Sequence, residues 1–318
     1  MLSIMRYRLF GRTGLRVSEL LLGCMTLRTE EEARRVVDAY AEAGGNFLDT
    51  ASAYGESEEV LGAVLGRRER FVVATKYTLS RDADDPNAGG NHRKNLVGSL
   101  ERSLRRLRTD YVDVLWVHLW DRRTPVEETM RALDDVVRAG KVLYVGVSDA
   151  PSWFVARANT LAEWRGWTPF AGVQVPYSLV RRDVERELLP MAEALQLSVA
   201  AWAPLGGGML AGETRVDLAS LSAGERAVRE EVHRVAAEMG CTAAQVALAW
   251  VRQQGVLPLV GMRTPEQVAD AVAGLGVVLP PEAVARLEAA APFERGFPAD
   301  FIAECEASAF AFGSGVVV

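Results

Sequence analysis

Eight strand-then-helix alternations within 318 residues, with strand runs that are apolar on both faces, predict an α/β fold, a (β/α)8 TIM barrel. A third observation removes the main rival. A doubly wound sheet would carry a G-x-G-x-x-G turn after its first strand, whereas here that strand runs into Gly23-Cys24-Met25-Thr26. The prediction is one domain over residues 1–318, with a β-hairpin before the barrel and a C-terminal tail, about 292–318, over the active-site face.

In chain order, residues 7–22 alternate as a hairpin that turns at Thr13-Gly14 and leads into the first barrel strand near Leu20. The next strands begin near Asn46, Val72, Asp113, Val142, Gly172, Ser198 and Leu257. Thr29-Glu30-Glu31-Glu32 has the residues of a capping box, and Ala33, Val36, Val37, Tyr40 and Ala41 then mark one apolar helix face. Thr124-Pro125-Val126-Glu127 repeats that start with proline at the first helical position, and Thr264-Pro265-Glu266-Gln267 is a third instance. Gly44-Gly45 and Gly140 stand where helices stop. Two segments break the rhythm: a polar loop at 81–95 and a loop at 204–222 that opens with Gly206-Gly207-Gly208. Both are expected on the carboxyl-end face, where barrel enzymes build their sites. Phe293, Phe297, Phe301, Phe310 and Phe312 imply a tail that packs.

A hydrophobic fraction of 49% and a charged fraction of 25% are those of a soluble globular protein. A net charge of −6 and a pI near 5.4 give no electrostatic reason to expect nucleic acid. Cys24, Cys241 and Cys305 fit neither a disulfide framework nor a metal spacing, so a reducing compartment is expected and no metal is. The first six residues lack the apolar core of a signal peptide, and no run approaches transmembrane length. The expectation is a cytoplasmic protein without a membrane partner, and its oligomeric state has no sequence signature.

The chemistry starts at Asn46-Phe47-Leu48-Asp49, a strand-like run that ends on an acid, followed by a turn that presents Tyr54 beside Gly55. The next run, Phe71-Val72-Val73-Ala74-Thr75-Lys76, ends on a lysine, and Asp113-Val114-Leu115-Trp116-Val117-His118 ends on a histidine. Each residue alone has a plain structural explanation: Asp49 as a loop cap, Lys76 as its ion-pair partner, His118 as a satisfied core histidine. Four such groups at the same end of adjacent strands make an acid–base site. A free tyrosine titrates near ~10, too high for efficient catalysis at neutral pH. The Lys76 ammonium is expected to lower that value, with Asp49 holding the lysine and offsetting its burial. His118 would donate to a substrate oxygen. Such a group protonates an oxyanion formed when a nucleophile reaches a carbonyl carbon. With no metal cluster and no activated serine or cysteine in the pattern, hydride from a nicotinamide is the expected nucleophile.

Asp49-Thr50-Ala51-x-x-Tyr54-Gly55, Thr75-Lys76 and Val117-His118 resemble the Asp/Tyr/Lys/His tetrad of the aldo-keto reductase family. The similarity runs from Tyr7-Arg8-Leu9-Phe10-Gly11 to Arg263-Thr264-Pro265-Glu266-Gln267. It implies a (β/α)8 barrel that reduces an aldehyde or ketone to an alcohol with NADPH, tyrosine being the proton donor and histidine orienting the carbonyl. It also implies a cofactor site. Gly146-Val147-Ser148-Asp149 is similar to the family's Gly-Val-Ser-Asn, whose last two side chains hold the carboxamide, and Gln174 matches the glutamine that shares this task. Trp202 falls where the family stacks an aromatic ring on the nicotinamide. Pro204, Leu205, Gly206 and Gly208 match the strap over the pyrophosphate. By the same resemblance Gly23, Cys24 and Met25 lie toward the nicotinamide, and Gly261, Arg263, Thr264, Gln267 and Asp270 toward the far end of the cofactor. Trp120 is a candidate wall for a small-molecule carbonyl substrate. Asp149 in place of Asn, Ala203, Met262 and Ala271 depart from the family pattern. The short Met25-Thr26-Leu27-Arg28 segment implies a more open pocket on that side. A second reading is an NADPH-binding redox sensor with slow turnover, similar to the potassium-channel β subunits of the same superfamily.

Arg263 also has a direct physical argument. Thr264-Pro265 opens a helix, whose exposed N–H groups favour an anion, and Arg263 adds a fixed charge suited to phosphate. The combination favours the 2′-phosphate of NADPH over the hydroxyl of NADH. The structural alternative is a solvated surface arginine.

Overall fold

The computed structural model describes residues 5–80, 82–212, 217–290 and 292–313. Two short strands come first, β1 (Tyr7–Leu9) and β2 (Arg16–Ser18), paired antiparallel with Tyr7 opposite Ser18. The barrel begins with β3 (Leu21–Gly23), α1 (Glu30–Glu42), β4 (Phe47–Asp49), α2 (Ser57–Val64), β5 (Val72–Tyr77) and α3 (Arg93–Leu107). It continues with β6 (Val112–Val117), α4 (Val126–Arg138), β7 (Val142–Ser148), α5 (Ser152–Arg165), β8 (Phe170–Pro176) and α6 (Leu188–Ala194). After β9 (Ser198–Trp202) come two helices, α7 (Ala223–Met239) and α8 (Ala243–Gln253), before β10 (Leu257–Val260) and α9 (Pro265–Ala273). The chain then runs through α10 (Pro281–Ala290), α11 (Ala299–Ala307) and α12 (Ala309–Phe312). The strands β3 to β10 are parallel and closed, β10 pairing with both β9 and β3. This is the predicted (β/α)8 barrel with its N-terminal hairpin.

Helix starts follow local chemistry, not always as expected. Thr29 caps α1 by accepting from the Glu32 N–H, but the Glu32 carboxylate accepts from Arg28 rather than closing a box on Thr29. Pro125 is the cap of α4 and not its first residue, and the Thr124 hydroxyl donates to Asp121 at 2.6 Å. Thr264 caps α9 by accepting from the Gln267 N–H with proline next, but the Gln267 side chain accepts from the Arg263 N–H and closes no box on Thr264. Complete capping boxes open α7 at Ser222 and Glu225 and α8 at Thr242 and Gln245. Gly44 and Gly140 follow α1 and α4 at φ 89° and 72°, a conformation glycine adopts without a Cβ clash.

Apolar side chains form two compartments. The larger lies between strands and helices. The smaller is built only from strand and hairpin residues, among them Phe10, Phe47, Val114 and Trp116, and fills the barrel interior. Phe10 meets Trp116 edge-on at 5.9 Å, so the hairpin plugs the end of the barrel away from the site. Glycines in β7 and β8 leave room for these rings. A Cβ on Gly146 would stand 2.3 Å from Trp116, and one on Gly172 would stand 2.9 Å from Phe10. Side chains alternate along a strand, so the inward set Phe47, Val72 and Ala74, and Val114 and Trp116 continues at the carboxyl ends as Asp49, Lys76 and His118. Period two therefore builds the site.

Of the 81–95 loop, Arg81 lies outside the described residues and Arg93 already begins α3. Asn91 anchors the rest, accepting from the Thr78 hydroxyl (2.7 Å) and donating to Leu119 (3.0 Å) and Asp121 (2.7 Å). Within the 204–222 loop, residues 213–216 lie outside the described residues. The expectation of a packed tail over the active-site face is corrected. Phe293 lies 5.3 and 4.6 Å from the Arg182 and Arg186 guanidinium groups, but α11 buries no residue, and Phe297, Phe301 and Phe310 are exposed. No described tail residue lines the central cavity. In α11 the apolar Phe301 and Ile302 are flanked by Asp300, Glu304 and Glu306, so the helix has no continuous apolar face. The Phe312 side chain and residues 314–318 lie outside the described set. Among the described residues no helix is long and apolar enough to cross a membrane.

Candidate active site

Asp49 ends β4 and Lys76 stands near the end of β5, both almost fully buried and joined as an ion pair. Lys76 also donates to the Thr50 carbonyl at 3.0 Å. Gln174 of β8 donates its Nε2 to the second Asp49 oxygen, also at 3.0 Å. Both charges thus have partners, which a buried pair requires. Burial alone would lower the Lys76 pKa, but the facing Asp49 carboxylate reverses this and holds it above its usual value. Lys76 is an ammonium at neutral pH.

The turn after β4 is fixed by Ser52 N–H to Lys76 O (3.0 Å) and Tyr54 N–H to Ala51 O (3.0 Å). It brings the Tyr54 ring edge-on to His118, centroids 5.6 Å apart, with the Lys76 nitrogen 5.0 Å from the Tyr54 ring centre. The expected lowering of the Tyr54 pKa is not found. Burial raises it and outweighs the Lys76 ammonium, so the resting group is a protonated phenol. Burial, and then the Lys76 charge, push His118 down to about 3, so the imidazole is neutral. Its Nδ1 is buried without a protein partner. The His118 backbone N–H donates to Tyr77 O (3.1 Å) and to the hydroxyl of Thr78 (3.2 Å), whose φ of 108° is strained for a β-branched residue.

From Tyr54 and His118 a cavity of about 1310 Å³ runs past Ser148, Asp149 and Trp202 to Arg263. It exceeds the roughly 300–1,000 Å³ of ordinary small-molecule pockets, as a dinucleotide with a substrate needs. The Trp202 indole donates to Asp149 Oδ1 at 3.1 Å, and the Arg181 guanidinium lies 5.8 Å from the Trp202 ring centre. Asp149 (φ 46°) and Ala203 (φ 52°) take left-handed conformations at these strand ends. In sequence, residues 19–292 match the Aldo/keto reductase family. The chain belongs to the aldo/keto reductase family.

Norsolorinic acid reductase stcV of Emericella nidulans is 40% identical, over 92% of this chain and 82% of that protein. The norsolorinic acid reductase of Aspergillus flavus is 36% identical over 93% and 83% of the two chains. Aryl-alcohol dehydrogenase GME11368 of Pestalotiopsis microspora is 37% identical over 93% and 85%. Family membership makes the protein an oxidoreductase of carbonyl chemistry, and the family generally uses a nicotinamide cofactor.

Most positions implied by the resemblance line this cavity. Gly23, Met25, Ser148, Asp149, Gln174 and Trp202 surround its reactive end. Pro204, Leu205 and Gly208 line the middle, where Gly207 takes the place expected for Gly206. Gly261, Arg263, Thr264, Gln267 and Asp270 form the far end. Two of these have local tasks as well. The Gln267 side chain accepts from the Arg263 N–H at 2.8 Å, and Asp270 accepts from Thr242 (3.1 Å) and Gln245 (2.9 Å), bracing α9 against α8. Cys24 does not line the cavity; its buried thiol points to Leu22 O, and burial raises its pKa. Trp120 packs edge-on against Trp153 at 5.2 Å and is not part of the wall. His233 on α7 and Thr242 at the start of α8, neither of them singled out by the sequence pattern, also line the far end. The Thr242-x-x-Gln245 box was the available signal for that second helix.

Proposed function

We propose that this protein reduces an aldehyde or ketone to an alcohol with NADPH, Tyr54 acting as the proton donor. What supports this most is the protonated Tyr54, edge-on to a neutral His118 and backed by Lys76, opening into a cavity that extends to Arg263. When bound, the cofactor supplies a hydride to the carbonyl carbon. The chain's own residues manage the oxygen. His118 hydrogen-bonds the carbonyl oxygen and sets its direction. The Tyr54 hydroxyl passes its proton to that oxygen as negative charge develops. The phenolate left behind faces the Lys76 ammonium, which is held by Asp49, itself fixed by Gln174. Burial keeps the phenol protonated at rest, and the ammonium acts when the phenolate forms.

The residues present fit the cofactor. Ser148 and Gln174 would hold the carboxamide, with Asp149 accepting from its NH2 group, and Trp202 would stack on the ring. Arg263 and the N-terminus of α9 suit a 2′-phosphate. Glu266 shares that rim, whereas the Asp270 oxygens are engaged by Thr242 and Gln245. The aryl-alcohol dehydrogenase name among the relatives favours an aryl carbonyl as substrate. The test follows NADPH oxidation with aromatic and aliphatic aldehydes, and repeats it with NADH. Turnover of an aromatic aldehyde, faster with NADPH, is expected. No turnover of any carbonyl with either cofactor would overturn the reading, and equal rates with both would overturn the NADPH preference.

A further inference from the structure

We propose that Asp149 sets the redox balance of the bound nicotinamide, its carboxylate favouring the oxidised, cationic ring over the reduced, neutral one. Resting on the nicotinamide cofactor proposed above, this assigns a specific task to one residue of that site.

Placement comes first. The carbonyl carbon must lie beside Tyr54 and His118, so the hydride donor occupies the adjoining stretch of cavity. Its wall there is Ser148, Asp149, Gln174 and Trp202. Asp149 is not a loose surface acid. Its backbone takes φ 46°, its N–H donates to Gln174 O at 3.3 Å, and Oδ1 accepts from the Trp202 indole at 3.1 Å. Burial raises its pKa above the usual carboxylate value, opposed by hydrogen bonds from Trp202 and Ser148. Of the cations that act on it, Lys76 is already ion-paired with Asp49, and Arg181 lies 5.8 Å from the Trp202 ring centre. The Asp149 charge also reaches the reacting end, where it opposes ionisation of Tyr54.

The charge balance gives the direction. Reduced cofactor, carbonyl and the Tyr54 proton become oxidised cofactor and alcohol. The hydride carries its electron pair to the carbonyl carbon and leaves one positive charge on the ring. A fixed anion beside the ring lowers the free energy of that product state and leaves the neutral ring nearly untouched. The missing donor to the carboxamide oxygen is the same in both redox states, so it weakens both alike. Asp149 therefore makes the bound reduced ring a stronger hydride donor and slows release of the oxidised cofactor.

The experiment measures Kd for NADPH and NADP+ by quenching of tryptophan fluorescence, in the wild type and in Asp149→Asn. Asparagine has the same shape, accepts from the Trp202 indole and tolerates a left-handed backbone. The ratio Kd(NADP+)/Kd(NADPH) should rise about tenfold in the variant, as loss of one nearby charge requires. Asp149→Ser, which removes the same charge with a smaller side chain, should move the ratio in the same direction. Both forms binding with an unchanged ratio in the two variants would overturn the inference and leave the cofactor reading intact. Binding of neither form to the wild type would overturn the cofactor reading, and the inference with it.

Discussion

His118 and Tyr54 are held in uncharged states by burial, and that fixes how the protein should respond to pH. The Tyr54 phenol is raised and His118 is lowered to about 3, so neither group titrates near neutrality. kcat/KM for carbonyl reduction should show no inflection near pH ~6.5 and should fall only under alkaline conditions, as the phenol ionises. Stability follows the opposite limb. An unfolded histidine takes up a proton below pH ~6.5, whereas folded His118 resists until about 3. The unfolded state thus binds more protons in that window, and stability is lost as pH falls through it. Thermal melts at neutral and mildly acidic pH should show a smaller acid loss in His118→Asn than in the wild type. A rate inflection near ~6.5 that vanishes in His118→Asn would contradict the neutral imidazole. Residue identities at the site were readable because titratable types stood at strand ends. The direction of the Tyr54 shift was not, since burial and a neighbouring ammonium act oppositely and only geometry gives their sizes.

At the level of elements, the onsets read near Val72, Asp113 and Val142 fall within one residue of β5, β6 and β7, because apolar runs bounded by turns leave few alternatives. Gly146 shows what such patterns hide. In the sequence it belongs to the Gly-Val-Ser-Asn-like motif, whereas in the barrel it makes space for Trp116. Gly146→Ala should destabilise the fold by about 1–3 kcal/mol through overpacking, measured by denaturant unfolding. Gly98→Ala, mid-helix in α3 with nothing within 4 Å, should instead be neutral or stabilising by up to about 1 kcal/mol. If both changes gave the same effect, the packing role of Gly146 would be wrong. The α7–α8 pair and the tail were less legible. The first adds a helix to the βα rhythm, and the second has aromatic residues without a periodic face.

Over the whole molecule, linear sequence placed the acid–base group and the Arg263 end some two hundred residues apart, and only barrel closure through the β3–β10 pairing puts both on one cavity. The proposed function requires that Tyr54 deliver the proton at one end of this cavity while the rest of it binds cofactor. The most direct measurement compares wild type and Tyr54→Phe in single turnovers of NADPH with an aromatic aldehyde, alongside NADPH binding by tryptophan quenching. Loss of about 10²- to 10⁴-fold in rate with binding close to wild type is the predicted result. A variant that keeps most of the wild-type rate while binding NADPH normally would contradict it.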